Sequence, residues 1–111
     1  SILLVGGNEI QARYDDAIRD HFRRVDQHLR VEFIHPAWSS NWNVDLEDVK
    51  RKLDAHHALV VMRFNRTMFG RHVRRLAGEH GKLWFPCTGH GRDSLIRAIA
   101  RAAGFLRSLP A

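Results

Sequence analysis

Ile2-Leu3-Leu4-Val5-Gly6-Gly7-Asn8 is the stretch whose reading decides the fold. Four consecutive apolar residues stopped by turn residues read as a short strand buried on both faces, the kind found in parallel sheets covered by helices. Immediately after it, Ile10, Tyr14, Ala17, Ile18, Phe22 and Val25 recur at spacings of three and four. That period places them on one stripe of a first helix running to about Val25.

The same strand-then-helix unit recurs three more times. Val31 to Ile34 reads as a second strand, and Pro36, Ser39, Ser40, Asn41 and Asn43 make the next stretch a loop that carries Trp38 and Trp42. Asp45 is expected to cap a second helix with Leu46, Val49 and Leu53 on one face. Its end falls at His56 and His57, where a cation complements the helix dipole. Ala58 to Met62 is the strongest β run, and Arg63-Phe64-Asn65-Arg66 separates it from Thr67, expected to cap a third helix. That helix turns Met68, Val73, Leu76 and Ala77 inward and stops at Gly81. Lys82 to Phe85 gives the fourth strand and Pro86 to Gly91 a glycine-rich loop. Ser94 to about Leu106 forms a last helix that buries Leu95, Ile99, Ala102 and Phe105 or Leu106.

Parallel neighbours need long crossovers, and those crossovers are right-handed. The expected product is an α/β fold: a three-layer, Rossmann-like domain whose four-stranded parallel sheet has the flavodoxin-like order 2-1-3-4, with helices on both faces. In such sheets ligands bind beyond the carboxyl ends of the strands, where the order reverses. The crevice is therefore expected between the Gly6-Gly7-Asn8-Glu9 loop and the loop from Arg63 to Thr67.

The chain of 111 residues is read as one domain spanning 1–111, and its opening directly on a strand points to a domain excised from a longer protein. A hydrophobic fraction of 44% with 27% charged residues excludes the disordered and membrane-spanning classes. No apolar run approaches the roughly 20 residues that span a bilayer. One cysteine, Cys87, rules out an internal disulfide and fits a reducing compartment, so a cytoplasmic location is expected. The net charge of +6 favours a polyanionic partner.

Several stretches carry candidate chemistry. Gly6-Gly7 allows close backbone approach and aims free amides at an anion, although Glu9 and Gln11 stand where a dinucleotide fingerprint needs glycines; the competing reading is a tight turn that requires positive φ. Arg63, Asn65, Arg66 and Thr67 end a central strand, where arginine suits bidentate phosphate or carboxylate contacts. The fourth loop supplies Thr88, Gly89 and Arg92 as further ligand contacts, and Cys87 followed by small residues and Arg92 is the arrangement that lowers a thiol pKa. The competing reading makes Cys87 a small strand-end residue without chemistry. Eight histidines offer Cys87 with His90, or His56 with His57, as two ligands at most, so no metal site and no cofactor are expected. Trp38 and Trp42 can stack bases, form a subunit contact or anchor their own loop. Arg71, Arg74 and Arg75 on the third helix, with Arg97 and Arg101 on the fourth, form basic strips suited to nucleic acid, less neutralised than Arg19, Arg23 and Arg24 beside Asp15, Asp16 and Asp20.

From Leu3-Leu4-Val5-Gly6-Gly7 through Tyr14, the Ala58 to Met62 strand, the Arg71 to Arg75 helix, Gly81-Lys82 and Ser94-Leu95, the chain resembles the bacterial family known as domain of unknown function 2325. The resemblance implies a small Rossmann-like domain with a basic helix after the third strand, and no activity. Thr67-Met68 stands where that family shows Ser-His, which removes any histidine-dependent role there. More locally, Cys87 to Arg92 with Gly104-Phe105 is similar to the active-site loop and helix of rhodaneses, but the Asp-Val-Arg segment of those enzymes has no counterpart after strand one.

Three functions follow as expectations. The first is a non-catalytic sensory or regulatory module binding a phosphate-bearing small ligand, possibly a nucleotide, at the strand ends. The second is a homo-oligomerising or nucleic-acid-associated module using its basic helices, with strand two or strand four as the dimer edge. The third is a rhodanese-like sulfurtransferase that uses Cys87.

Overall fold

The computed structural model describes residues 1–38 and 41–110. Ser39 and Ser40, read above as loop, lie outside the described residues. Strands β1 (Ile2–Val5), β2 (Val31–Ile34), β3 (Ala58–Met62) and β4 (Leu83–Cys87) pair in the order β2-β1-β3-β4. Every pairing is parallel, with Ile2 opposite both Val31 and Ala58, and Ala58 opposite Leu83. The helices are α1 (Glu9–Ala12), α2 (Asp15–Val25), α3 (Asn43–Lys52), α4 (Thr67–Glu79) and α5 (Arg92–Ser108), with a 3-10 turn at Leu53–Ala55. The expected three-layer α/β fold with its 2-1-3-4 sheet is the fold observed.

The period-two alternation of the strands divides the core. Ile2, Leu4, Val60 and Met62 face α2 and α5 and pack with Ile18, Phe22, Leu95 and Ile99. Leu3, Val5, Leu59 and Val61 face α3 and α4 and pack with Val49, Leu53, Phe69 and Val73. No residue of β1 or β3 is more than 2% exposed. At roughly 1.5–3 kcal/mol for each large apolar side chain removed from water, these two layers supply most of the folding drive.

The helix boundaries differ from the expected ones for identifiable reasons. The first helix is broken by a turn at Arg13 and Tyr14, and Gln11, the third residue of α1, turns its side chain to the loop. Its side chain accepts the Asn8 N–H at 2.9 Å and donates to the His90 carbonyl at 3.0 Å, while Asn8 accepts the Ile10 N–H at 2.8 Å, closing a capping box. This rotates Ile10, which is 49% exposed, and Ala17 and Val25 are likewise exposed rather than inward. Asp45 does not cap α3. The helix starts at Asn43 behind Trp42, three residues earlier than that cap implies, and Asp45 accepts the Ala37 N–H at 3.0 Å. Thr67 is the first helical residue of α4 rather than its cap, since the extended Arg66 occupies that position, and Met68 points outward. His56 is not a helix-end cation: it follows the 3-10 turn, is buried, and burial pushes its pKa down despite the Glu32 carboxylate 3.3 Å away. β4 runs on to Cys87, and α5 begins at Arg92.

β4 is an edge strand of unusual composition. Leu83 and Trp84 are about 40% exposed, and Pro86 is exposed as well. The Cys87 carbonyl accepts the Arg63 N–H at 2.8 Å, so Cys87 turns its polar groups toward β3. Alternation turns those of Trp84 and Pro86 to the open side, where proline has no N–H to give.

β1 and β3 approach closely at their ends. Gly6 has φ of +132°, and a Cβ there would lie 2.7 Å from Met62 Cβ and 2.8 Å from Asn65 Nδ2. Gly6→Ala should cost about 2–5 kcal/mol from backbone strain plus overpacking. Gly81→Ala, at φ of +66° with open space around it, should cost about 1–2 kcal/mol. Urea unfolding of the two variants checks the difference, and equal losses would contradict the close approach.

Candidate functional site

The carboxyl ends of β1 and β3 lie side by side as expected, but the chain fills the space between their loops. Gly7 donates its N–H to the Phe64 carbonyl at 2.8 Å, and Gly6 donates to the Ile34 carbonyl at 2.9 Å. Asn65 Nδ2 reaches the Val5 and Met62 carbonyls, both at 3.4 Å, and its Oδ1 accepts the Arg66 N–H at 3.0 Å. The Phe64 ring lies between Trp38 and His90, with centroids 5.3 and 5.6 Å away. Trp38 Nε1 donates to the Gly7 carbonyl at 2.8 Å, and Arg66 donates to the Ala37 carbonyl at 2.6 Å.

Of the expected ligand set, Gly6, Gly7, Asn8, Asn65 and Arg66 thus direct polar groups to neighbouring groups of the chain. Glu9, Arg63 and Thr67 are exposed around them. Gly6 and Gly7 both have positive φ, in keeping with the turn reading. Trp42 stacks near Phe69 and His72, so both loop tryptophans anchor their own segment.

Beside this plug His35 bridges three elements. Its Nδ1 lies 2.7 Å from the Gly6 carbonyl and its Nε2 2.9 Å from Asp15 at the start of α2. Both nitrogens face acceptors, so only the imidazolium donates to both. Burial opposes the charge, yet the Asp15 hydrogen bond, the Gly6 carbonyl and the Asp15 charge together hold the pKa above its ordinary value. Sequence reasoning passed over this residue, because a lone histidine after a strand carries no pattern.

The fourth loop has a different character. Cys87 is buried, and its Sγ donates to the Gly89 carbonyl at 3.3 Å and lies 3.7 Å from that of Ser94. Burial pushes the thiol pKa up, the opposite of what a thiolate nucleophile needs. Arg92 stays exposed beside Asp93 at 3.6 Å, away from the thiol. Thr88, Gly89, Ser94, Arg97 and Arg101 instead line a dimple of about 140 Å³ over Pro86 and Cys87.

The basic residues converge on β4. Arg97 and Arg101 flank it on the α5 face, and on the α4 face the Arg74 guanidinium lies 5.9 Å from the Trp84 ring centre. Arg71 and Arg75 occupy the outer surface of α4, where Arg75 meets His72 and Glu79. Exposed Phe105 sits edge-on to Phe85 at 5.4 Å.

One sequence signal behind this surface is missed by residue-by-residue reading. Residues 63–111 hold ten of the eighteen lysines and arginines but only Glu79 and Asp93 of the twelve acids, a surplus of eight positive charges. Residues 1–62 hold eight basic and ten acidic side chains. The strand order turns this division along the chain into one across the sheet, with β4 at the positive end.

Among the described residues no three His, Cys, Asp or Glu side chains gather to hold a metal ion, and no helix is long and apolar enough to cross a membrane. The structure defines the class, a parallel α/β domain. Compared with known proteins, the chain matches no family model, no curated sequence and no solved structure.

Two measurements check these environments. The folded pKa of His35 lies above the ordinary 6.5, so its stabilising contribution is complete below pH 6.5 and fades as pH rises through the folded value. Wild type should therefore lose stability relative to Asp15→Asn over that rise, a comparison in which the opposite trend of buried His56 cancels; parallel curves would remove the His35–Asp15 link. Alkylation of Cys87 by iodoacetamide should be slow and have its midpoint above the ordinary thiol range, and a midpoint below it would restore the nucleophile reading.

Proposed function

We propose that this chain is a non-catalytic α/β module that binds a polyanion on the β4 end of its sheet. The carrying observation is the segregation of charge: residues 63–111 have a surplus of eight positive charges, and the fold puts their one strand, β4, at an end of the sheet. β4 has no carboxylate, and the one acid of α5, Asp93, is beside Arg92 in the first turn. The one acid of α4, Glu79, is beside Arg75, which leaves Arg74, Arg97 and Arg101 to meet phosphate or sulfate oxygens. Enzymatic use of Cys87 finds no support in its buried thiol.

A second reading places a phosphate-bearing small ligand at the fourth loop instead of the filled first and third. The dimple there has two arginines and Ser94, but its roughly 140 Å³ is below the 300–1,000 Å³ of ordinary ligand pockets. It admits a phosphate group rather than a whole nucleotide. Inorganic phosphate at about 100 times its Kd would then raise stability by roughly 2.7 kcal/mol; no thermal shift at constant ionic strength removes this version.

The polyanion reading is checked with heparin. The affinity should fall as salt rises, with a log-log slope of about −2 or steeper, and Arg97→Ala with Arg101→Ala should flatten the slope by about 1–2. A slope near zero for the wild type would overturn it.

A further inference from the structure

We infer that the natural polyanion is a single-stranded nucleic acid, laid across the β4 edge with a base stacked on Trp84 and the backbone phosphates held by Arg97 and Arg101. This rests on the polyanion reading and narrows it. Charge alone does not account for what lies between the arginines: Leu83, Trp84 and Phe105 are all 40% or more exposed. An indole on an edge strand, with a guanidinium near its ring, is a platform for an unpaired base, because every base has a π-face and arginine adds a cation–π contribution.

The spacing fits one strand of nucleic acid. Trp84 and Cys87, over which the Arg97 and Arg101 dimple opens, are three residues apart, roughly 10 Å, and this odd spacing puts the indole on the α4 face beside Arg74 and the dimple on the α5 face. A base on the indole and a nearby phosphate in the dimple are then reached by one extended backbone that crosses the open edge of β4 from the α4 face to the α5 face. A duplex presents its phosphates with the bases stacked inside, so it satisfies the arginines and leaves Leu83, Trp84 and Phe105 in water. A second copy of this chain brings a like-charged end, and between Leu83 and Cys87 the open edge has the Trp84 N–H as its one donor, because Pro86 has none. An acidic peptide satisfies the arginines but brings no ring to the indole.

The test is a titration at fixed salt with fluorescein-labelled dT12 and rU12, a 12-base-pair DNA duplex, heparin and a polyglutamate peptide, on wild type, Trp84→Ala, Trp84→Leu and the Arg97→Ala, Arg101→Ala pair. The inference expects at least one single-stranded oligomer to bind more tightly than the duplex. It also expects loss of the ring in either Trp84 variant to weaken that binding about tenfold while heparin affinity stays within about twofold. Trp84→Leu keeps apolar packing and decides the matter if Trp84→Ala unfolds on circular dichroism. The relative affinities of dT12 and rU12 assign the partner to DNA or RNA. Equal affinity for duplex and single strand, tightest binding of polyglutamate, or Trp84 variants that bind oligomers like wild type would overturn the inference and leave the polyanion reading standing. Failure of wild type to bind any of the anions would bring down both.

Discussion

The fold depends on a central pair of strands that have no face for water. β1 and β3 are buried along their whole length, so each surface of the sheet must be covered, and a chain of this size does it with α2 and α5 on one side and α3 and α4 on the other. The consequence reaches β4: the helices close over the middle of the sheet and leave this strand, at the end of the order, flanked by arginine-bearing faces of α4 and α5 but with its edge open.

The second constraint is the accounting of polar groups at the strand ends. A loop that follows a buried strand must find partners for its amides and carbonyls. This chain finds them internally, through Gly7 with Phe64, Asn65 with Val5 and Met62, Trp38 with Gly7, and Gln11 with His90. The place where parallel α/β sheets commonly hold ligands is here a joint. His35 with Asp15 fastens the same joint to the start of α2. The proposed function puts recognition at the sheet edge instead, where Trp84 is exposed and Arg97 and Arg101 line the dimple.

How much of this is legible in the sequence follows from which interactions are local. Ile2–Val5 and Ala58–Met62 declare themselves because a strand buried on both faces must be continuously apolar, and with helices between them the parallel order follows. The break after Ala12 is not legible, and neither is the hydrogen bond beside it, from Gln11 to His90, 79 positions away. The same holds for Asp45, drawn from capping to the Ala37 N–H, and for Phe64, whose place between Trp38 and His90 turns an expected crevice into packing. The basic residues on α4 and α5 were readable singly. Their convergence on β4 needed the sheet order, although the imbalance of charge between the two halves of the chain was countable from the start.

The strand order also sets a schedule. β1 is first in the chain but sits second in the sheet, so its far edge stays unpaired until residues 58–62 exist, while β4 is needed by no other strand. On a ribosome the emerging Ile2–Val5 segment must therefore wait, apolar and half-paired, through more than fifty residues of synthesis, a period in which it is open to wrong partners. The two halves of the molecule have different kinetic duties: the nearly neutral first half must be kept from collapsing on itself, and the strongly cationic second half completes the sheet when it arrives.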